Sequence, residues 1–211
     1  SKYDEAALNQ YITTHTGGLA VSPSILEAYD GSLVSHVFIS GKATVEKARD
    51  ELLPLFHHIL VEVDLNNYAR FKQMVSEARA AVHSGIIGSG HSTAASTIGS
   101  TLTVAGWINE QMSGVTNYRF LSALEKQLST EEGWPAVQQR LKRLRELILA
   151  NANGAIVGLT SDNSDTIASG VEKLVHDLGS AGYKTPPSSS WVDGLVPADR
   201  THSAFVVPSQ V

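Results

Sequence analysis

The sequence lacks cysteine throughout its 211 residues, which excludes disulfides, thiolate metal sites and a cysteine nucleophile. It also lacks an excess of basic residues, since 16 Lys and Arg are outnumbered by 21 Asp and Glu, giving a formal net charge of −5. Nucleic-acid backbones are bound by clustered cationic side chains, so nucleic acid is not expected as a partner. No apolar run approaches the roughly 20 residues that cross a bilayer, so no membrane insertion is expected.

The hydrophobic content of 42% and the chain length are typical of one substantial globular domain, or of one domain plus the start of another. Residues 3–15 are predicted to form a helix that ends at Thr16-Gly17-Gly18, because glycine readily adopts the conformation found at helix ends. Residues 19–26 and 33–40 are predicted strands. Asp30-Gly31 between them favours a tight turn, so the two strands are expected to pair antiparallel.

Three helices are predicted next. Between Val45 and Val63, apolar residues recur every three or four positions, which indicates an amphipathic helix. Thr44 is expected to cap this helix and Pro54 to kink it. Asn66 or Asn67 caps a second helix, with Tyr68, Phe71, Val75, Ala78 and Val82 on one face. A glycine-broken link at 85–90 precedes a third, long helix over 92–112. Its larger apolar stripe is Ile98, Leu102, Ala105, Ile108 and Met112, and its stripe of small residues is Ser96, Gly99, Thr103 and Gly106. With Trp107, the small stripe is expected in a packed core, which predicts that Gly99→Leu is strongly destabilising.

Further helices are predicted at 117–128 and 135–150. In the second, we expect Val137, Leu141, Leu144 and Ile148 inside and Arg140, Lys142, Arg143 and Arg145 mostly outside. A short buried strand at 155–160 then leads to a helix that starts at Ser164 and buries Ile167, Val171, Leu174 and Leu178. The predicted fold class is therefore α+β, an antiparallel sheet with packed helices, over residues 1–178. Residues 179–201 are a predicted linker, because prolines and serines dominate there, and 202–211 begin the following domain with a strand.

A zinc peptidase site of the inverted type needs the pattern H-x-x-E-H, and none of the eight histidines fits it. The nearest arrangement is His57-His58 with Glu62, in which His58 and Glu62 share a helix face and His57 points elsewhere. A catalytic zinc requires three protein ligands and a water. Ordinary polar residues are favoured here over a metal site, so no catalytic, cofactor-binding or metal-binding residue is predicted.

Three other groups have a functional alternative. Gly85 to His91 favours an interhelix connection over an anion-binding loop, since it matches neither the dinucleotide nor the Walker glycine pattern. Asp162 and Asp165 favour helix capping over cation binding, because the loop lacks the EF-hand length. Trp107 and Trp134 favour core positions over ligand stacking. The serine-hydrolase elbow G-x-S-x-G does not occur in the sequence.

One set of motifs is not required by any generic folding rule. It comprises Thr16-Gly17-Gly18, Phe71-Lys72-Gln73, Gly88-Ser89-Gly90-His91, Ala105-Gly106-Trp107, Glu110-Gln111-Met112-Ser113-Gly114 and Pro208-Ser209-Gln210-Val211. In this order, the motifs resemble the organellar presequence proteases, pitrilysin-like zinc peptidases of the insulinase superfamily. The resemblance runs through nearly the whole chain and is to the C-terminal half of those enzymes, which lacks the zinc motif.

The resemblance implies that residues 1–178 are part of the third, non-catalytic peptidase-like domain of a zinc metalloendopeptidase. Such enzymes degrade transit peptides and other short unfolded peptides in a chamber, with zinc bound in the first half, outside this segment. The implied partners are the N-terminal catalytic half of the same polypeptide and peptide substrates, and the implied location is the chloroplast stroma or the mitochondrial matrix. The segment alone is then expected to be inactive. The alternative is a catalytically silent scaffold or peptide-binding relative of the same superfamily.

Overall fold

The structure of the chain is a computed structural model, which describes residues 4–30, 32–150, 157–158, 160–161, 164–179, 195 and 197. The chain divides into two compact units. The first comprises Ser1–Ser24, Val37–Asn66 and Val137–Ser188, and the second comprises Ile25–His36, Asn67–Ala136 and Ser189–Val211. Helices predominate, with one two-stranded antiparallel sheet among the described residues. The predicted α+β class is confirmed.

Helix α1, Glu5–His15, begins where the Asp4 carboxylate accepts a hydrogen bond from the Ala7 backbone N–H. Strands β1, Leu19–Glu27, and β2, Leu33–Gly41, follow as predicted. At their turn, the Ser32 N–H donates to the Asp30 carboxylate over 2.9 Å. Hydrogen bonding from the Ser32 side chain and backbone lowers the pKa of Asp30 from its usual value.

The predicted helix from Val45 to Val63 is interrupted twice. Short α-helices α2, Val45–Lys47, and α3, Leu53–His57, alternate with π-helical turns at Ala48–Leu52 and His58–Glu62. We call residues 45–62 the π-interrupted helix. Pro54 has no N–H to donate to the preceding turn, and the Leu53 N–H bonds to the Ala48 carbonyl five residues back, which is the π-helical pattern. Pro54 is thus accommodated by a change from the α-helical to the π-helical hydrogen-bond pattern.

Helix α9, Ser164–Gly179, completes the core of the first unit. Ile167 on α9 packs with Ala48 and Leu53 of the π-interrupted helix, and Val171 and Leu174 pack around them. This confirms the predicted apolar face of α9. Of the predicted strand at 155–160, the described residues Val157, Gly158 and Thr160 lie in neither helix nor strand, and the others lie outside the described part of the chain.

Helix α4, Tyr68–Gly88, opens the helical part of the second unit, and the Asn67 side chain caps it by accepting from the Arg70 N–H over 3.0 Å. The glycine-broken link predicted at 85–90 is wrong, because α4 continues through Gly88 and Ser89 alone separates it from α5, Gly90–Gly99. Glycine is permitted inside a helix at a cost of about 1 kcal/mol relative to alanine, which the rest of a 21-residue helix can offset.

The single long helix predicted over 92–112 is also wrong. Helix α6, Val104–Ser113, starts anew after a break at 100–103, where Thr103 is extended and its hydroxyl accepts from the Gly106 N–H over 2.9 Å. The hydroxyls of Ser100 and Thr101 donate to carbonyls three residues earlier. Such side-chain bonds compete with the helical backbone pattern, which explains the break. Consequently Ile98 and Leu102, expected inside, are 63% and 71% exposed.

Helices α7, Val115–Gln127, and α8, Trp134–Ala150, agree with prediction. In the second unit α7 packs against α4 and α6, and Leu128 just after α7 is completely buried. On α8, Val137 is buried as expected, whereas Leu144 and Ile148 are exposed and Leu149 is buried in place of Ile148. The buried face of α8 is therefore rotated about the helix axis relative to the predicted one. A long amphipathic helix has apolar residues on more than one possible face, so spacing alone does not select between them. The predicted linker and the strand at 202–211 lie outside the described residues, apart from Gly179, Leu195 and Pro197.

Candidate functional site: the His57–His58–Glu62 cleft

A cleft of about 630 Å³ lies in the first unit beside the only histidine pair in the sequence. The π-interrupted helix forms one side and α9 forms the other, with Tyr11 of α1 at the margin. Its volume lies within the range of about 300–1,000 Å³ found for small-ligand sites. The charged and polar side chains that line it are Arg49, Asp50, His57, His58, Glu62, Ser169, Lys173 and Asp177. The cleft therefore presents charges of both signs on two helices.

The two histidines and Glu62 form one cluster. His58 Nδ1 lies 2.9 Å from Glu62 Oε2, and the His58 side chain is only 7% exposed. His57 Nδ1 lies 3.6 Å from the other carboxylate oxygen. The prediction that His57 points elsewhere is wrong, since the π-helical turn at His58–Glu62 brings consecutive histidines to the same carboxylate. The cluster is thus a carboxylate flanked by two imidazoles, and Glu62 itself is half exposed.

Helix α9 packs closely against the π-interrupted helix at other residues that line the cleft. A Cβ atom added at Gly170 of α9 would lie 2.9 Å from Arg49 Cγ and 2.9 Å from Leu53 Cδ1. Arg49 donates from Nε to Asp50 Oδ1 over 2.8 Å, and this bond is the main reason that the pKa of Asp50 is lowered and that of Arg49 is raised. Both side chains remain half exposed, so the pair adds charge to the cleft margin and little stability.

The cluster does not fit a catalytic zinc. Within the described ranges, no group of three His, Asp or Glu side chains is placed to hold a metal ion. His58 Nδ1 and Glu62 Oε2 lie 2.9 Å apart and form a direct side-chain contact. The arrangement is suited to binding charged or polar ligand groups through hydrogen bonds.

A second, smaller cavity of about 340 Å³ lies beside the end of the π-interrupted helix. It is lined by residues 61–66 and by Gln138, Lys142 and Arg145 of α8. Arg145 donates from Nη1 to the Val63 carbonyl over 2.9 Å and to the Val61 carbonyl over 3.4 Å. Arg140, Lys142 and Arg143 are exposed as expected, and Arg145 is the half-buried exception because its guanidinium binds these two carbonyls.

We expect Arg145→Ala to lower the free energy of unfolding by about 1–3 kcal/mol, the usual cost of leaving polar backbone groups without their charged partner. Arg143→Ala is the matched control on the same helix, because Arg143 makes only an exposed contact with Glu146. That change should cost less than about 0.5 kcal/mol. Urea denaturation of both variants checks the difference, and equal midpoints would contradict the role assigned to Arg145.

The other sequence candidates are not among the residues that line the cleft. Gly90 begins α5, and Ser89 makes no side-chain cap there. The Trp134 ring lies 5.9 Å from the Tyr68 ring and 5.5 Å from the Phe71 ring, measured between centroids, so it is an aromatic packing residue of the second unit. Trp107, expected in the core, is half-buried. Asp162 lies outside the described residues and Asp165 is exposed in the first turn of α9.

Comparison with protein families gives a direct result. A family described as peptidase M16, subfamily C, associated matches residues 1–124, which include β1, β2, the π-interrupted helix and α4 to α6. The chain belongs to this peptidase-associated family. The resemblance to presequence proteases stated from the sequence motifs is thereby confirmed.

Curated relatives of this peptidase-associated chain support the same placement. Presequence protease 1, chloroplastic/mitochondrial, of Arabidopsis thaliana is 36% identical over 97% of the chain, which covers 18% of that protein. The mitochondrial presequence protease of Schizosaccharomyces pombe is 29% identical over 82% of the chain and 17% of its own length. Protein HypA of Clostridium perfringens is 30% identical over 72% of the chain and 15% of its own length. The chain thus spans less than a fifth of these relatives.

None of the described helices combines the length and the apolar composition that a bilayer span requires. This finding concerns only the residues that the structure describes.

Proposed function

We propose that this chain is a non-catalytic part of an organellar zinc metalloendopeptidase that degrades transit peptides and other short unfolded peptides. The observation that carries the proposal is the 36% identity to an Arabidopsis presequence protease over 97% of the chain. Because the identity extends over nearly the whole chain, a shared structural role explains it better than one short common motif would. In this role the chain forms part of the wall of a peptide-degrading chamber.

Catalysis is assigned to another part of the same polypeptide, its N-terminal half. Zinc-dependent hydrolysis requires three protein ligands, a metal-bound water and a general base. The sequence contains no H-x-x-E-H, and its best local cluster consists of His57, His58 and Glu62 in contact with one another. The chain's own contribution is to bind and confine a peptide, which holds the scissile bond in place and keeps bulk water out.

The cleft beside His57 and His58 supports a binding role. Extended peptides present backbone amides together with side chains of either charge, and the cleft offers Arg49 and Lys173 as cationic groups and Glu62 and Asp177 as anionic ones. The names of the Arabidopsis and Schizosaccharomyces relatives place those proteins in chloroplasts or mitochondria. We extend the same location, the stroma or the mitochondrial matrix, to the protein that contains this chain.

The test compares the zinc content and peptidase activity of the isolated chain with those of the full-length parent protein. We expect the purified chain to contain no stoichiometric zinc by elemental analysis and to show no chelator-sensitive cleavage of a fluorogenic transit peptide. The full-length parent should show both, and deletion of residues 1–178 from it should abolish cleavage. A parent that carries His57→Ala and His58→Ala is the matched control and should keep its zinc content. Stoichiometric zinc in the chain alone would overturn the proposal, and a full-length parent without zinc or activity would indicate a silent scaffold.

A further inference from the structure

Glu62 lines both cavities of the first unit, the cleft beside the histidine pair and the smaller cavity beside α8. It is the last residue of the π-interrupted helix, so it lies where the helical wall of the cleft gives way to the irregular chain that lines the second cavity. A ligand that extends from one cavity into the other therefore passes the Glu62 carboxylate.

The Glu62 carboxylate is both accessible and held in position. Its side chain is 49% exposed, and each of its two oxygens faces a histidine, His58 Nδ1 at 2.9 Å and His57 Nδ1 at 3.6 Å. The His58 side chain is only 7% exposed, so its packing fixes the ring that contacts the carboxylate. An ionised carboxylate only accepts hydrogen bonds, and cationic donors bind to it more strongly than neutral ones. Glu62 is thus a prearranged acceptor for a positively charged group.

The two arginines that line the cavities are already engaged. Arg49 donates to both carboxylate oxygens of Asp50, over 2.8 Å and 3.1 Å. Arg145 donates to the carbonyls of Val61 and Val63. The Arg49–Asp50 pair offsets its own charges, and the guanidinium of Arg145 is held by backbone. Neither arginine contacts Glu62 within the part of the chain that the structure describes.

The two lysines that line the cavities also leave the charge of Glu62 in place. Lys173 and Asp177 are four residues apart on α9, a spacing at which opposite charges lie on one helix face and offset each other. Lys142 is exposed on α8, where solvent and salt screen its charge. Among the described residues that line the two cavities, Glu62 therefore combines an accessible negative charge with neighbours that are histidines.

We propose that Glu62 binds a basic side chain, arginine or lysine, of a peptide that extends from the cleft into the second cavity. The inference rests on the proposed function, which supplies the peptide ligand. Transit peptides are rich in arginine and poor in acidic residues, so their charge complements this carboxylate. Glu62 is then a specificity-determining residue of the peptide-binding surface, and His58 is the residue that positions it.

Peptide binding to the full-length parent, with a chelator present to prevent cleavage, tests the proposal. The probes are two fluorescein-labelled peptides of serine and alanine that differ at one central residue, which is arginine in one and glutamine in the other. Fluorescence anisotropy at about pH 8, where an ordinary histidine is uncharged, gives the two dissociation constants. The unmodified parent should bind the arginine peptide about fivefold more tightly, and Glu62→Gln should reduce this ratio to about one.

Glu172→Gln is the matched control, because it makes the same change at an exposed glutamate of α9 that lines neither cavity. It should preserve the preference for arginine. Glu62→Lys supplies a second variant, which should bind a peptide with a central glutamate more tightly than the glutamine peptide. A reversed preference of this kind does not arise from a loss of stability.

An arginine preference that is unchanged by Glu62→Gln would overturn the proposal, as would an equal loss in Glu172→Gln. The absence of any arginine preference, or of peptide binding, in the unmodified parent would also overturn it. Zinc content and cleavage are measured separately on the parent without chelator. A parent that lacks zinc and cleavage but shows the preference set by Glu62 contradicts the proposed catalytic role alone, and a cleaving parent without that preference contradicts this inference alone.

Discussion

Replacing Gly106 with alanine is expected to lower the free energy of unfolding by about 1–3 kcal/mol, the usual cost of overpacking. An added Cβ would fall on the carbonyl oxygen of Gly99 and would lie 2.8 Å from the carbonyl carbon. Backbone cannot move aside as the end of a flexible side chain can. The intrinsic preference of alanine for helix, about 1 kcal/mol, offsets only part of this cost. Chemical denaturation followed by circular dichroism measures the change.

Gly99→Ala is the control for this prediction, because nothing lies within 4 Å of a Cβ added at Gly99. We expect its effect to lie between neutral and stabilising by about 1 kcal/mol. This reverses, for Gly99, the expectation that all four residues of the small stripe are tightly packed. If Gly99→Ala destabilises the protein as much as Gly106→Ala does, the break between α5 and α6 is misplaced.

Leu128→Ala should cost about 2–5 kcal/mol, the range for removing a large aliphatic side chain from a packed interior. Leu128 has no exposed surface, and its carbonyl accepts a hydrogen bond from the Tyr68 hydroxyl over 2.8 Å. The substitution removes side-chain packing and leaves this backbone bond available, so the loss reports on the cavity. Thermal and urea unfolding of the variant measure it.

Leu102→Ala makes the same change in the same unit at a leucine that is 71% exposed. Its expected cost is within about 0.5 kcal/mol, as for surface substitutions in general. A comparable loss at both leucines would mean that Leu102 is covered in solution, which would contradict the exposure seen here.

The local chemistry of the sequence was sufficient to predict elements whose ends have their own signals. Asn67 caps α4 as expected, and Asp30 turns the hairpin through its bond to Ser32. Apolar spacing also predicted the buried face of α9 around Ile167. In each case the decisive contact lies within a few residues or on one helix face, so sequence spacing contains the necessary information.

The failures have a common physical origin in competition between nearby hydrogen-bond partners. The helical spacing of apolar residues continues over 92–112. It gives no indication of the side-chain hydrogen bonds by which Ser100, Thr101 and Thr103 break the helix. Similarly, spacing in an ideal α-helix separates His57 from Glu62, and the π-helical turn brings them within 3.6 Å. Helical periodicity does not register such local changes. A signal was nevertheless present in the first case, namely the cluster of hydroxyl residues, whereas Pro54 marks only the earlier π-helical turn at Ala48–Leu52.

The division of the chain into two interleaved units has a consequence for synthesis on the ribosome. The first unit is assembled from Ser1–Ser24, Val37–Asn66 and Val137–Ser188, with the second unit's Asn67–Ala136 between its later segments. Its core joins Ala48 and Leu53 to Ile167, so these early residues cannot be buried until α9 has emerged. Domains generally fold as units during vectorial synthesis. A nascent chain halted before α9 should therefore expose Leu53 to chaperones, even if the helices of the second unit have already packed.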